Sequence, residues 1–303
     1  MPPLQNEFSW SISRARLFEA CKRRYFYCYY GSWMGWDFQA RPAARLLYRL
    51  KQIMTLPMWG GKVVHRTIEL ALNQMRRGRA VVLETMQEQA RRQLNDQWQE
   101  SEKRLWLTHP KKHVNLFDHY YGRAVSTQQR LELREKVFSS LQGFFELGCA
   151  GELARLRPEA YLSVEEMNTL SINDIKVWLV MDCAFRRDGR IVIYDWKTGA
   201  PSEHESATDQ LICYALFAAQ KWSASFEEIE VSLVHLPARK IETHTVAAEQ
   251  VIDFRERLYA SAKEMTSLLS DAKRNVAREE DFPRTGNAWH CRDCEYQEVC
   301  LQD

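Results

Sequence analysis

Two aspartates and a lysine stand in a segment whose pattern predicts a β-hairpin. Apolar runs lie on either side of Asp188-Gly189, which is a strong signal for a two-residue hairpin turn. In the usual register of that turn, Asp182 lies directly opposite Asp195 on one face, with Cβ atoms about 4.5–5.5 Å apart. Lys197 follows two residues later on the same face. The hairpin therefore predicts a close Asp, Asp and Lys group.

The other side chains of this hairpin are apolar on both faces, which is typical of a central strand pair covered on both sides. We expect one face to carry Trp178, Val180, Ile191 and Ile193. We expect the other face to carry Leu179, Met181, Val192 and Tyr194. Two adjacent carboxylates in such surroundings repel each other and need a cation. Oxygen ligands suit Mg²⁺ or Mn²⁺.

A divalent ion held there could activate water for hydrolysis of a phosphodiester. Lys197 would orient the nucleophile or stabilise the developing charge. The alternative is a structural Asp–Lys pair, with the other aspartate reaching solvent near a strand end. His65, in residues 61–69, is a further possible ligand, although a histidine on an apolar helix face is more often a core residue. Gln210 and Tyr214 are spaced i, i+4 on a predicted helix and can face one site.

The eight cysteines fall into two groups. Cys28, Cys149, Cys183 and Cys213 stand singly among apolar neighbours, as buried structural thiols do.

The other group includes Cys291, Cys294 and Cys300, a C-x2-C-x5-C pattern in which three thiolates suit one metal centre. A tetrahedral site needs a fourth ligand; His290 would be cramped beside Cys291, and Cys21 is the better candidate. The cysteine pattern alone does not distinguish a zinc site from an iron–sulfur cluster. A third interpretation is that the three C-terminal thiols are unrelated.

Residues 14–51 are basic and aromatic. They hold nine basic and two acidic side chains, a local charge of +7 within a chain of net charge +2. Such a stretch suits phosphate contacts and base stacking. The alternative is a packed helix with a solvated basic edge. The candidate nucleic-acid-binding residues are Arg14, Lys22, Arg23, Arg24 and Tyr25.

Helices are predicted to dominate the first half of the chain and β-type runs the second. The predicted helices are 11–30, 61–77, 83–105, 125–147, 206–220 and 247–273, with an irregular loop at 108–122. The predicted strands are 161–166, 176–186, 190–195, 228–236 and 241–246. Strands alternating with helices predict an α/β core with a central mixed sheet flanked by helices.

Composition is that of an ordinary globular chain. Apolar residues make up 45% of the 303 and charged residues 27%, and the overall charge of +2 does not by itself indicate a nucleic-acid binder. No run of 18 apolar residues and no signal-peptide pattern is present in the sequence. We therefore expect a soluble, cytoplasmic protein with no membrane association and with unpaired cysteines.

Taken together, the ordered residues resemble the PD-(D/E)XK nuclease superfamily, and within it the RecB-like branch. That pattern is a helix-borne His, an Asp, a (D/E)-x-K and a Q-x3-Y, which fall here on His65, Asp182, Asp195-Trp196-Lys197, and Gln210 with Tyr214. The resemblance implies a restriction-endonuclease-like core. It implies metal binding by His65, Asp182, Asp195 and the carbonyl of Trp196, with Lys197 assisting attack. Gln210 and Tyr214 would position Lys197 or the DNA strand. One departure is Leu179, where the family often has glycine.

The cysteines make the chain similar to the iron–sulfur members, which include the CRISPR-associated iron–sulfur exonucleases and AddB-type nuclease domains. By resemblance, Cys21, Cys291, Cys294 and Cys300 hold a [4Fe–4S] cluster that joins the two ends of the domain. The implied protein is one nuclease domain over residues 1–303, comprising a cluster-ligand and basic region (1–60), a mainly helical part (61–160), a sheet core (161–275) and a cluster-binding C-terminus (276–303).

The implied activity is a Mg²⁺- or Mn²⁺-dependent deoxyribonuclease, acting as an exonuclease on single-stranded DNA or DNA ends, in repair, recombination or defence. The implied partner is a helicase or another repair or defence protein. Two alternatives stay open. One is a nucleic-acid-binding subunit of a helicase or defence complex that does not cut, and the other is a zinc protein with a four-cysteine site.

Overall fold

A five-stranded mixed sheet lies at the centre of the computed structural model, which describes residues 4–199 and 207–301. Its strands follow the order β3-β4-β5-β6-β7, and all neighbours are antiparallel except β5 and β6, which are parallel. The strands are β1 (Ile53–Met54), β2 (Asn115–Leu116), β3 (Tyr161–Ile172), β4 (Ile175–Arg187), β5 (Arg190–Lys197), β6 (Ile229–His235) and β7 (Lys240–His244). The short strands β1 and β2 form a separate parallel pair. The predicted mixed α/β architecture is confirmed.

Helices cover the sheet on both sides. The helices of the described residues are α1 (Ile12–Ala20), α2 (Lys22–Phe26), α3 (Pro42–Leu50), α4 (Leu56–Met75), α5 (Leu83–Glu102), α6 (Phe117–Tyr120), α7 (Thr127–Glu146), α8 (Cys149–Ala154), α9 (Ala207–Trp222), α10 (Ala248–Ser267), α11 (Ala288–Arg292) and α12 (Gln297–Cys300). The predicted long helices are present, with ends shifted by a few residues. The predicted irregular loop at 108–122 instead contains β2 and α6, because Leu116 and Phe117 are apolar enough to be buried in the core.

The first predicted helix, 11–30, is not continuous. Cys21 has an extended backbone (φ −163°), so α1 ends there and α2 begins at the next residue. The Cys21 Sγ accepts a hydrogen bond from the Arg24 backbone N–H at 3.4 Å and caps α2. A π-helical turn, Tyr27–Gly31, follows. The break lets the thiol turn toward the C-terminal segment, which an uninterrupted helix would not allow.

Two buried apolar clusters lie on the two sides of the sheet. One packs residues of α1, α2, α9 and α10 against the sheet. The other packs residues of α4, α5, α7 and α8 against it. Within the described residues, no helix is both long and apolar enough to cross a membrane.

The β4–β5 hairpin has the predicted register over most of its length. Pairs run from Arg187↔Arg190 to Cys183↔Tyr194, and Asp188 and Gly189 both have positive φ (49° and 80°), as a type I′ turn requires. The ladder stops one pair before the carboxylates, so the predicted pairing of Asp182 with Asp195 is wrong.

The reason is that the strands diverge at this point. The Asp182 carboxylate accepts a hydrogen bond from the Trp196 backbone N–H at 2.6 Å, while β5 continues to pair with β6 as far as Lys197↔His235. A wedge therefore opens between β4 and β5, and both aspartates lie at it.

The predicted assignment of apolar residues to faces also needs correction. Ile191 and Ile193 share their cluster with Leu179 and Met181, rather than with the predicted Trp178 and Val180. The cause is a change of face in β4, since Met181 lies in one cluster and Cys183 in the other.

Candidate active site

The site lies where β4 changes face. Asp182, in β4, is buried (6% exposed), and its Oδ1 lies 3.3 Å from the Nδ1 of His65. His65 comes from α4 on one side of the sheet, and the same Nδ1 lies 3.0 Å from Oε1 of Glu165 in β3. The ligand atoms of these three residues all lie within 4.8 Å of one another. A metal ion placed among them would meet two carboxylate oxygens and one imidazole nitrogen.

Glu165 was not identified from the sequence. It lies between the ladder pairs Val164↔Cys183 and Glu166↔Met181, and its φ of +51° is in the left-handed region that a glutamate rarely adopts. Strand β3 changes face here together with β4, since Val164 belongs to one buried cluster and Leu170 to the other. Backbone strain of this kind is concentrated at functional sites. No local sequence signal marks it, because it arises from the pairing of two strands.

Asp195 and Lys197 lie at the end of β5. The Asp195 carboxylate is 3% exposed, and its Oδ2 lies 2.7 Å from Lys197 Nζ. Its Oδ1 lies 3.0 Å from the Tyr214 hydroxyl and accepts a hydrogen bond from Gln210 Nε2 at 3.1 Å. Lys197 also donates to Gln210 Oε1 at 3.2 Å. The two residues of α9 thus reach the predicted Asp-x-Lys group from the side of the sheet opposite His65.

Tyr214 holds Asp195 and Gln210 in place through its hydroxyl group. Its hydroxyl lies 2.8 Å from the carbonyl oxygen of Val180 and 2.7 Å from Gln210 Nε2, which donates to it. Burial raises the pKa of Tyr214 well above its usual value, and the neighbouring Asp195 raises it further. The side chain therefore remains a neutral phenol that links β4, β5 and α9.

The electrostatics of the group favour a bound cation. Burial raises the pKa of Asp182 to about 6, with Asp195 adding to the effect and His65 opposing it. Burial alone would lower the pKa of His65, but Asp182 and Glu165 outweigh it and raise the pKa to about 11. In the protein without metal, the positive charge of protonated His65 therefore offsets the negative charge of Asp182 and Glu165. Carboxylate oxygens and an imidazole are also ligands for a divalent ion, so the donor set fits one.

The cysteine prediction concerns the opposite ends of the chain. Cys21, Cys291, Cys294 and Cys300 all line one cavity of about 70 Å³. Among the described residues, no three of these thiols have Sγ atoms that all lie within 4.8 Å of one another. The remaining thiols, Cys28, Cys149, Cys183 and Cys213, are unpaired and buried, as predicted.

The basic residues of the first helices contact the protein itself. Tyr25 is 1% exposed, so its ring is not available for stacking on a base, contrary to prediction. The contacts are Arg14 Nη1 to Ser9 O (2.9 Å), Lys22 Nζ to Glu264 Oε1 (2.7 Å), Arg23 Nε to Phe282 O (2.7 Å) and Arg24 Nη2 to Glu295 Oε2 (2.7 Å). Three of these join the N-terminal helices to residues beyond 260, which agrees with the packed-helix alternative.

Comparison with known proteins agrees with this geometry. The family model described as the PD-(D/E)XK nuclease superfamily matches residues 9–301. Among curated proteins, none is significantly similar to this chain in sequence. Among solved structures, one that resembles it is described as the crystal structure of SSO0001; the identity is 13%, the alignment covers 61% of this chain and 91% of that one, and the TM-score is 0.29.

Proposed function

Because the chain belongs to the PD-(D/E)XK nuclease superfamily, whose members are metal-dependent nucleases, we propose that it hydrolyses phosphodiester bonds of DNA with Mg²⁺ or Mn²⁺. The observation that carries the proposal is the position of Asp182 and Asp195 at the wedge between β4 and β5, with His65 in contact with Asp182 and Lys197 in contact with Asp195. Elements from both sides of the sheet supply these groups, so the site depends on the folded core.

Residues of the candidate active site are the proposed ligands of the metal ion. His65, Glu165 and Asp182 hold the metal ion, and Asp195 with the main-chain carbonyl of Trp196 completes the ligand set. When bound, the ion lowers the pKa of a water molecule and neutralises phosphate charge.

Lys197 has the role that its position beside Asp195 favours, which is to orient the attacking water or to stabilise charge on the phosphate. Its ammonium lies between Asp195 Oδ2 and Gln210 Oε1, and these contacts restrict where it can point. Gln210 and Tyr214 are positioning residues that act through Asp195 and Lys197.

We also propose the finer properties that the likeness to the RecB-like branch suggests. The enzyme would act as an exonuclease on single-stranded DNA or DNA ends, in repair, recombination or defence, with a helicase as a possible partner. The support for these is the ordered motif set alone.

The four cysteines would hold a [4Fe–4S] cluster rather than zinc. Four thiolates around one zinc ion stand about 3.8 Å apart, given a Zn–S distance of about 2.3 Å in a tetrahedron. The four thiols here surround one cavity, yet no three of their Sγ atoms fall within 4.8 Å of one another in the part of the chain that the structure describes. A cluster whose iron atoms bind one thiolate each suits four thiols around one cavity.

The nuclease proposal is tested by assaying Asp195→Ala and Lys197→Ala on labelled DNA with Mg²⁺ or Mn²⁺. Lys176→Ala is the matched control, because Lys176 is an exposed lysine of the same sheet that stacks on Trp178 at 4.9 Å. We expect both site variants to lose at least about a hundredfold in rate, while the control keeps it. Comparing linear with circular single strands tests end dependence. A wild-type protein with an intact cluster that cuts neither substrate would refute the proposal.

The cluster proposal has its own test. Wild-type protein purified without oxygen should be brown, with iron and sulfide in about equal amounts and little zinc. Cys21→Ser should lose the visible absorption or the solubility of the protein, whereas Cys213→Ala, a buried thiol outside the cavity, should keep its iron. A colourless wild-type protein with one zinc per chain would show that the site is a zinc site.

A further inference from the structure

A basic pocket lies in the helical half of the chain, apart from His65, Glu165 and Asp182, which we call the metal group. It is a pocket of about 270 Å³ between α5 and α7, next to the start of α4. The aromatic rings of Trp59 and Trp98 line it, and Arg91, Arg130 and Arg134 surround it. The described residues that line the pocket include no acidic side chain.

The arginines of this pocket differ in whether an acidic side chain forms an ion pair with them. Arg91 is paired with Glu88, with Nη1 2.8 Å from Oε2. The Arg130 guanidinium lies over the Trp98 ring, 4.3 Å from its centroid, and has no ion pair with any residue that the structure describes. Stacking on an aromatic face leaves the N–H groups at the edge of a guanidinium free to donate.

Arg134 lies one turn further along α7 and is exposed. Within residues 4–199 and 207–301, its guanidinium has neither a hydrogen bond nor an ion pair. Arg130 and Arg134 are therefore two neighbouring cations, four residues apart on one helix, that face one pocket without an internal counter-charge.

A small cleft beside the end of β5 shares one lining residue with this pocket. Leu133 lines both the pocket and the cleft, and the cleft is also lined by Gly61, Lys136 and Thr198. Thr198 directly follows Lys197. The pocket and the end of β5 are therefore both next to the start of α4.

Helix α4 contributes Trp59 to the pocket and His65 to the metal group. Trp59 and His65 are six residues apart, which is about 9 Å along the helix axis at 1.5 Å per residue. One helix therefore carries residues of both the pocket and the metal group.

We propose that this pocket binds two backbone phosphates of the DNA substrate, away from the bond that is cut, through Arg130 and Arg134. The proposal rests on the proposed nuclease function and names a substrate contact for it. Arginine suits this role because its planar group donates two parallel hydrogen bonds to one phosphate. The contacts made are to phosphate, so binding is independent of base sequence.

The test measures binding of a fluorescent single-stranded oligonucleotide by anisotropy in Ca²⁺, which is used in place of Mg²⁺ to separate binding from cleavage. Arg130→Ala/Arg134→Ala is compared with Arg155→Ala/Arg157→Ala, which removes two exposed arginines beyond α8. We expect the pocket variant to bind about tenfold more weakly, and its salt slope to fall by about 1.4, which is 0.7 for each of two phosphates. The control variant should bind as the wild type does.

A neutral methylphosphonate, moved one linkage at a time along the oligonucleotide, then locates the contact. In the wild type it should weaken binding at the linkages that contact the pocket, away from the bond that is cut. In the pocket variant the same replacement should have no further effect, because the contact is already lost.

The outcomes separate this proposal from the one it rests on. If the wild type binds and cuts DNA but the pocket variant does both equally well, the pocket assignment is overturned and the nuclease function stands. If the wild type neither binds nor cuts, both are overturned. A pocket variant with lowered thermal stability is replaced by Arg130→Gln/Arg134→Gln, which removes the charge but keeps a polar side chain with the aliphatic stem, and the same criteria apply.

Discussion

Glu165 and Asp182 lie opposite each other in strands β3 and β4, and both of their carboxylates contact Nδ1 of His65, at 3.0 and 3.3 Å. Both strands change face at these two residues. The strained backbone of Glu165 is thereby coupled to the group that is best placed to hold a metal ion. The first prediction concerns this residue.

Replacing Glu165 by Gln should weaken metal binding while leaving the fold intact. Loss of one carboxylate should raise the Mn²⁺ concentration for half-maximal cleavage about 10- to 100-fold, the range found when groups around a metal site are removed. Mn²⁺ should also raise the melting temperature of the variant less than that of the wild type.

The matched control for this prediction is Glu166→Gln. Glu166 is the next residue of β3 and is exposed, so the same chemical change is made away from the site. Its Mn²⁺ dependence should match that of the wild type. Equal Mn²⁺ dependence in both variants would remove Glu165 from the ligand set.

Tyr214→Phe should slow the reaction by acting through Asp195. The change removes the hydroxyl that contacts Asp195 Oδ1 and the Val180 carbonyl and leaves the ring in place. We expect kcat to fall about tenfold with little change in KM for DNA, and the free energy of unfolding to fall by about 1–2 kcal/mol.

Tyr161→Phe separates the catalytic effect from the loss of stability. The Tyr161 hydroxyl donates to the Leu153 carbonyl at 2.6 Å, away from the active site. It should lose similar stability and keep full kcat. If the two variants lose kcat in equal proportion, Tyr214 is only a core residue.

The parts of this site that could be predicted are those that local sequence determines. The Asp188-Gly189 turn sets the hairpin register, and the spacing of Asp195 and Lys197, and of Gln210 and Tyr214, follows from strand and helix periods. The restriction-endonuclease-like core, predicted by resemblance, is confirmed.

What could not be predicted depends on contacts between distant segments. Glu165 reaches the site only because β3 pairs with β4 and changes face with it. The basic pocket requires α5 and α7 to be adjacent. The break at Cys21 depends on the packing of the N-terminal helices against the C-terminal segment, since Arg23 N–H donates to the Pro283 carbonyl at 3.1 Å. Helical periodicity through residues 11–30 contains no sign of it.

Gly143→Ala should destabilise the protein, because α7 approaches the sheet most closely there. A Cβ at this position would collide with the backbone carbonyl of Leu236, just after β6. Either α7 or the end of the strand must move, at a cost of at least about 2 kcal/mol.

Gly151→Ala should have the opposite effect on stability. Gly151 lies within α8 with open space around its Cβ position, so alanine should stabilise the protein by about 0.5–1 kcal/mol. Urea unfolding of the two variants measures both effects. Equal stability of the two variants would contradict the close approach at Gly143.

Gly61→Ala should lower activity without lowering stability. A Cβ on Gly61 would lie 3.1 Å from Thr198 Oγ1, so Thr198 must shift by a few tenths of an ångström. Thr198 follows Lys197, whose Nζ contacts Asp195 at 2.7 Å, and a small displacement of the backbone moves the ammonium. Alanine also favours the interior of α4 by about 0.5–1 kcal/mol over glycine, which offsets the crowding. We therefore expect kcat to fall several-fold at an unchanged melting temperature.

A second substitution tests whether this effect passes through Thr198. In Gly61→Ala/Thr198→Ala the oxygen that meets the new methyl group is gone, so kcat should return to the level of Thr198→Ala alone. The four proteins form a double-mutant cycle in which the coupling between the two positions is measured directly. If the loss of activity in Gly61→Ala persists in the double variant, the methyl group acts at α4 itself and not through the end of β5.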